Sequence, residues 1–338
     1  MASVVAIYQA GGLFDSGKIQ FIATFKPGTK YQKFLLACSA LFRYFKILLQ
    51  GGGRLLHVHV AGDASFWRKF FFIWLARVFN RRILFHLHSG DFMRFWEERC
   101  PPALRPLLLC TMRNADHIAC LSSPMAAWLK QKIPSAMIYI LPNPIILGEP
   151  PEDRKARPPT ILFLGAIVPN KGIFDLVCAF SRILEITPMA RLVLAGSGDL
   201  SGVRALASEL GCSAAVETLG WIGPEKKHSL LKQARILALP SHFEGQPMVI
   251  LEAMAAGALV VASKVGGIPD IVQHRRSGIL VEPHDRNGLA AALTAGMALS
   301  LENEAMVLEA YQYVSSVHNV LNIKHRLLEL YATLNFHS

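Results

Sequence analysis

From Thr160 onward the chain alternates short apolar runs with helix-length amphipathic stretches, a rhythm few folds accommodate. Thr160–Leu164, Arg191–Ala195, Val216–Leu219, Ile236–Leu239, Leu259–Ala262 and Ile279–Val281 read as strands. Between and after them, 173–186, 203–210, 225–233, 248–256 and the region from Asn287 read as helices. Continuous apolar runs separated by helices mark strands buried on both faces, hence a parallel, doubly wound α/β sheet.

The first half has the same grammar less cleanly. Ile19–Phe25, Leu55–Val60, Ile83–Leu87, His117–Leu121 and Met137–Leu141 read as strands, with helices at 31–50, 65–80 and 123–132. Val4–Tyr8 followed by Gly11 and Gly12 admits two readings. A first strand there leaves too little chain before Ile19 for a parallel crossover. Ser3–Ala10 as a helix tail capped by Gly11 or Gly12 fits better, with the first strand of this half absent.

At 338 residues the chain suits two domains. The run from Gly148 to Pro159, proline-rich and charged, is the expected linker. This gives an N-terminal domain over 1–150, a second over 158–318, and a final segment, 319–338, expected as a helix returning to the first. The net charge of +11 is uneven: residues 1–150 hold 18 Lys+Arg against 7 Asp+Glu, while 151–338 balance. Such asymmetry suits an anionic partner. The basic, aromatic stretches 65–82 and 33–46 suit an anionic membrane surface, although helices merely packing on their own sheet would read alike. No nucleic-acid motif accompanies the charge, so nucleic acid is not expected. No apolar run reads as a bilayer span and no basic leader opens the chain, and the six cysteines lack CxxC or disulfide spacing. A reducing cytoplasmic location follows as the expectation, peripheral on the inner face of the membrane if the basic half docks there.

The most informative stretch is SHFEGQPMVILEAMAAG, residues 241–257. Pro247 stands where a first helical residue is favoured, so the amides of Met248 and Val249 would be unpaired and open to an anion. Glu244 precedes that helix and Glu252 lies inside it, an arrangement suited to a ligand with hydroxyls at both ends and phosphate between. A plain loop charge and a plain helix-face acid are the bland alternatives. Lys171, in LFLGAIVPNKG after the strand ending at Leu164, becomes a counter-charge for a diphosphate beside a helix N-terminus. Gly165 ends the same strand, and Gly196 in LAGSGD suits a close backbone approach, although GxG alone is weak evidence.

These segments, with the terminal SGILVEPHD, resemble the Glu-x7-Glu signature of family 4 glycosyltransferases over nearly all of 158–285. VHVAGDASFWRKF, LFHLHSGDF and YILPNP look like exopolysaccharide- or capsule-type members. The resemblance implies the GT-B fold: two Rossmann-like doubly wound domains facing a central cleft, acceptor-binding first and donor-binding second. It implies that Glu252 holds the ribose of a nucleotide-diphosphate sugar and that Glu244, Gly245 and Gln246 engage the transferred sugar. Lys171, Met248 and Val249 would neutralise the diphosphate. It further implies retention of configuration without metal or other cofactor, and a glycan or lipid-linked acceptor. Where the family often has Arg five residues before the lysine, this chain has Ala166. A catalytically silent nucleotide-sugar-binding protein and a GT-B epimerase or phosphorylase are therefore the alternatives.

His57-x-His59 and His86-x-His88 each place two imidazoles on one strand face, a zinc-compatible spacing, yet no third clustered ligand accompanies either pair and no metal is expected. His88 ends its strand before Ser89-Gly90-Asp91, and by resemblance it contacts the donor sugar or phosphate, in a polar or acid–base role. A retaining glycosidase would need a carboxylate nucleophile opposite the leaving group. None is evidently placed, so same-face substitution is expected, the diphosphate oxygen taking the acceptor proton.

Overall fold

The computed structural model describes residues 2–88, 92–150 and 154–336. The chain divides into two compact units, one comprising Met1–Pro144 and Val320–Ser338, the other Ile145–Asn319. The fold is GT-B, each unit built on a parallel sheet with helices between its strands.

The first unit contains α1 (Ala2–Ala10), α2 (Lys30–Leu49), β1 (Leu55–Val60), α3 (Ala64–Val78), β2 (Arg82–Leu87) and α4 (Phe92–Arg94), which runs into a wider turn, Phe95–Arg99. It continues through α5 (Arg105–Arg113), β3 (His117–Cys120), α6 (Ser123–Lys132) and β4 (Met137–Ile140). The strands lie in the order β1-β2-β3-β4, all parallel. α1 ends where Gly12 adopts φ +71° and the Leu13 amide donates to Tyr8 O at 3.0 Å, so the opening is a helix and not a strand. Among the described residues no strand precedes β1.

Ile19–Phe25, expected as a strand, is extended backbone that joins no sheet. Its β-branched and aromatic residues supplied the propensity, but propensity needs a ladder partner. The segment is held by its side chains instead: the Lys69 ammonium donates to Thr24, and Phe25 lies under Lys33 and Arg68, 5.4 and 5.2 Å from its centroid. α2 starts at a capping box, with Thr29 Oγ1 accepting from the Gln32 amide at 3.2 Å and Gln32 Oε1 accepting from the Thr29 amide at 3.0 Å.

The second unit runs β5 (Thr160–Leu164), α7 (Ile173–Ile186), β6 (Arg191–Ala195), α8 (Leu200–Glu209), β7 (Val216–Gly220), α9 (Pro224–Gln233) and β8 (Ile236–Leu239). It continues with α10 (Met248–Ala255), β9 (Leu259–Ser263), β10 (Ile279–Val281), α11 (Arg286–Met297) and α12 (Leu301–Tyr313). α13 (Val320–Phe336) belongs to the first unit, where Lys324 Nζ donates to the carbonyls of Gly11 and Gly12 at 3.0 and 2.8 Å.

The second sheet has the order β7-β6-β5-β8-β9-β10, all parallel. The order reverses between β5 and β8. In open α/β sheets that switch point, outside the carboxyl ends of the strands, is where ligands bind.

The charged run expected as a linker is docked instead. Arg157 donates to the carbonyls of Ala234 and Gly257 at 3.0 Å and of Ala256 at 2.7 Å, covering the C-terminal end of α10. Arg154, buried, pairs with Glu304 at 3.2 Å. Both arginines fold into the second unit, and the unit boundary falls earlier, between Pro144 and Ile145. Ile145 donates its amide to His318 O at 2.8 Å, which ties the start of this unit to its end. Among the described residues no helix is long and apolar enough to cross a membrane.

Candidate functional site

Two loops meet at the switch point. One leaves β5 and carries Lys171; the other leaves β8 and carries Glu244. Lys171 Nζ reaches Glu244 Oε1 at 2.6 Å, and Ser241 Oγ donates to the same oxygen at 2.8 Å. Both partners are partly buried, so water screens this pair less than a surface pair. The backbones are joined as well, the His242 amide donating to Asn170 O at 2.9 Å.

Glycine makes these approaches possible. Gly172 has φ +66°, and a Cβ there would lie 2.0 Å from Pro240 O. Gly266 has φ +54°, and a Cβ there would lie 1.8 Å from Glu244 O. The next amide, Gly267, donates to Gly245 O at 2.9 Å, so the loop after β9 clamps the loop bearing Glu244. Gly196 serves a neighbouring contact: its Cβ position lies 1.7 Å from Gly165 O, which lets the β5 and β6 ends close on each other.

α10 begins at Met248 behind Pro247, with no side-chain cap, so its first amides face the loop end as an anion site would require. Gln246 is buried just before it. Glu252, on the second turn, accepts from Lys227 of α9 at 2.6 Å. The structure thus brings Lys171 to Glu244 and gives Glu252 a different cation. Nothing local in the sequence announces Lys227, because the pairing joins the faces of two helices.

Behind these loops Asp175 accepts from His242 Nε2 at 3.2 Å and from Arg286 Nε at 2.5 Å, while His242 stacks on His284 with centroids 3.7 Å apart. Asp175, His242 and His284 could offer ligand atoms to one metal ion, but Arg286 already occupies the carboxylate.

In the first unit β1 and β2 pair with His59 opposite His86, which assembles both His-x-His pairs into one cluster. His57 Nδ1 contacts the Tyr331 hydroxyl at 2.6 Å and its Nε2 contacts His86 Nδ1 at 3.1 Å; His59 Nδ1 contacts His88 Nε2 at 2.6 Å. Burial drives all four imidazoles below their ordinary value, His59 to about 3, with neighbouring positive groups adding to the effect. They are neutral, sharing ring protons. His57, His59 and His86 have ligand nitrogens within 4.8 Å of one another. His88 is thus a neutral imidazole in contact with His59, and residues 89–91 after it lie outside the described residues.

Comparison with known proteins places the second unit. Residues 149–313 match the family model described as glycosyl transferases, group 1, a similarity that spans most of the second unit. Over 131 residues the chain is 40% identical to an uncharacterized glycosyltransferase of Methanocaldococcus jannaschii, covering 38% of this chain and 33% of that one. Over 145 residues it is 36% identical to the D-inositol 3-phosphate glycosyltransferase of Corynebacterium jeikeium, covering 40% and 35%. The matched stretch is about a third of the length of each of these curated relatives. Among solved structures, sucrose-phosphate synthase from Thermosynechococcus elongatus superposes with TM-score 0.76 at 23% identity over 94% of this chain and 82% of that one. HepE from Anabaena in complex with UDP gives 0.73 at 17% identity over 88% and 82%.

Proposed function

We propose that the chain is a retaining glycosyltransferase, acting without metal, that moves a sugar from a nucleotide-diphosphate sugar to a glycan or lipid-linked acceptor. Within its family we read it as an exopolysaccharide- or capsule-type member working at the cytoplasmic, anionic face of a membrane. The observation that carries the reading is the Lys171–Glu244 pair at the switch point, set before the uncapped start of α10.

A donor would part that pair and engage both of its members. Its diphosphate takes the Lys171 ammonium and the Met248 and Val249 amides, while sugar hydroxyls take Glu244 and the backbone of Gly245 and Gln246. Glu252 receives the ribose hydroxyls, with Lys227 beside its carboxylate. As the glycosidic bond breaks, charge gathers on the diphosphate oxygen, and the ammonium and helix dipole stabilise it. The acceptor hydroxyl loses its proton to that oxygen and attacks the anomeric carbon from the same face. His88 contributes a neutral hydrogen bond to donor sugar or phosphate.

HepE has been solved with UDP and with UDP-glucose, which makes a uridine donor the first to test. Nucleotide release from a panel of sugar nucleotides is the assay. Glu244→Ala and Lys171→Ala should each lower turnover by about a hundredfold or more. Binding without turnover in the unsubstituted chain would favour a silent sugar-nucleotide-binding protein, a reading that Ala166 supports. Turnover insensitive to both substitutions would defeat the assignment.

A further inference from the structure

α2 has two apolar faces. Ala40, Tyr44 and Leu48 are buried, with Tyr44 stacked on Phe72 at 5.7 Å between centroids. On the other side Tyr31, Phe34, Phe42 and Leu49 are 69, 65, 64 and 62% exposed, and Leu35 and Phe45 are exposed beside them. At about 100° per residue these six fall within one arc roughly 100° wide, centred about 130° round the helix from the buried side. The stripe runs the length of a helix about 30 Å long. An exposed apolar patch of that extent marks an interaction surface.

The charge around it points to what covers it. Lys30, Arg43 and Lys46 are exposed along its borders. From Ser16 to Gly62 the sequence has no Asp or Glu, while Lys18, Lys26, Lys30, Lys33, Arg43, Lys46 and Arg54 are all basic. A second copy would set these like charges against each other across a two-fold interface. An aromatic stripe with cations and no carboxylate beside it complements an apolar medium with an anionic rim. The sequence also nominated 65–82, but α3 is turned inward: Phe66, Phe72 and Ile73 are buried, leaving Phe71 and Val78 outside. α3 supports α2 through the Phe45–Phe79 edge contact at 5.9 Å just past its end.

We propose that the outer face of α2 docks flat on an anionic lipid bilayer, its aromatic side chains entering the boundary between headgroups and acyl chains and Lys30, Arg43 and Lys46 meeting lipid phosphates. This specifies the membrane element of the transferase reading but does not need the transfer activity, because the test uses neither donor nor acceptor.

The test is flotation with phosphatidylcholine vesicles, with and without phosphatidylglycerol. The chain should float with the anionic vesicles and be released by salt. Phe34→Ser/Phe42→Ser/Leu49→Ser should lower the partition coefficient by about tenfold or more. Lys30→Glu/Arg43→Glu/Lys46→Glu should lower it by about a hundredfold. Both triple variants alter exposed positions, and unchanged thermal unfolding would show that they fold. Equal flotation on neutral vesicles, or flotation unaffected by both variants, would overturn the proposal. So would a dimer in sedimentation velocity that the serine variant dissociates without any vesicle binding.

Discussion

The two sheets finish differently at their carboxyl edges. In the second unit opposite charges on separate elements meet as ion pairs, Lys171 with Glu244 across two loops and Lys227 with Glu252 across two helices, each 2.6 Å long. In the first unit four imidazoles face one another, and His57 adds a phenol as partner. Parting an ion pair frees an ammonium for an anionic ligand, while the carboxylate is left to accept hydrogen bonds from hydroxyls. Neutral imidazoles in a buried network cannot accept a charge without loss. The contrast suits one edge to hold a diphosphate and the other to present fixed, uncharged hydrogen bonds.

The largest expected effect comes from breaking the clamp that sets the charged edge. Gly266→Ala drives a methyl group into the Glu244 carbonyl, 1.8 Å away, at a position with φ +54°. It should cost about 3 kcal/mol of stability and lower donor turnover by more than about a hundredfold. Calorimetric unfolding and the nucleotide-release assay would check both, and normal turnover would mean that the loop does not need its present path.

Arg157→Met comes next. It strips three carbonyls around the end of α10 of charged donors and should cost about 3 kcal/mol, measured by denaturant unfolding. Donor affinity should fall less than stability, because the carbonyls lie at the opposite end of α10 from Met248.

A smaller effect separates the units by pH. Burial lowers His59 from 6.5 to about 3 and pushes its three neighbours down as well. Groups depressed in the folded state stabilise it fully above their unfolded value, and that stability is lost as pH falls toward the folded one. Amide exchange protection in β1 and β2 should therefore decline below about pH 6.5 before that of β5 and β8. His59→Gln should reduce the difference. Parallel loss in both sheets would contradict the neutral assignment.

The smallest is Lys227→Met, which leaves Glu252 without its ammonium and should weaken donor binding severalfold while sparing turnover at saturation.

Much of the second unit was legible because strands buried on both faces cannot hide: β5, β6, β8 and β9 are continuous apolar runs. The Glu244 loop was legible because Pro247 announces a helix start. Ile19–Phe25 misled because the β-branched and aromatic residues of a strand also suit an extended segment pinned by side chains. α5 is short, nine residues set among Pro101, Pro102 and Pro106, which read as a loop. In the site, the Lys171–Glu244 contact follows from topology only once β5 and β8 are known to be neighbours. The Lys227–Glu252 contact and the clamp from Gly266 are tertiary facts with no local signature. Likewise each His-x-His pair was readable alone, and their union depended on the β1–β2 register.

A structure with uridine diphosphate soaked in tests directly whether a nucleoside diphosphate lodges at the switch point of the second sheet. Its phosphates should lie within hydrogen-bonding distance of the Met248 and Val249 amides and of Lys171 Nζ, with Lys171 released from Glu244 and the ribose hydroxyls on Glu252. A nucleotide bound elsewhere, with both ion pairs intact, would contradict it.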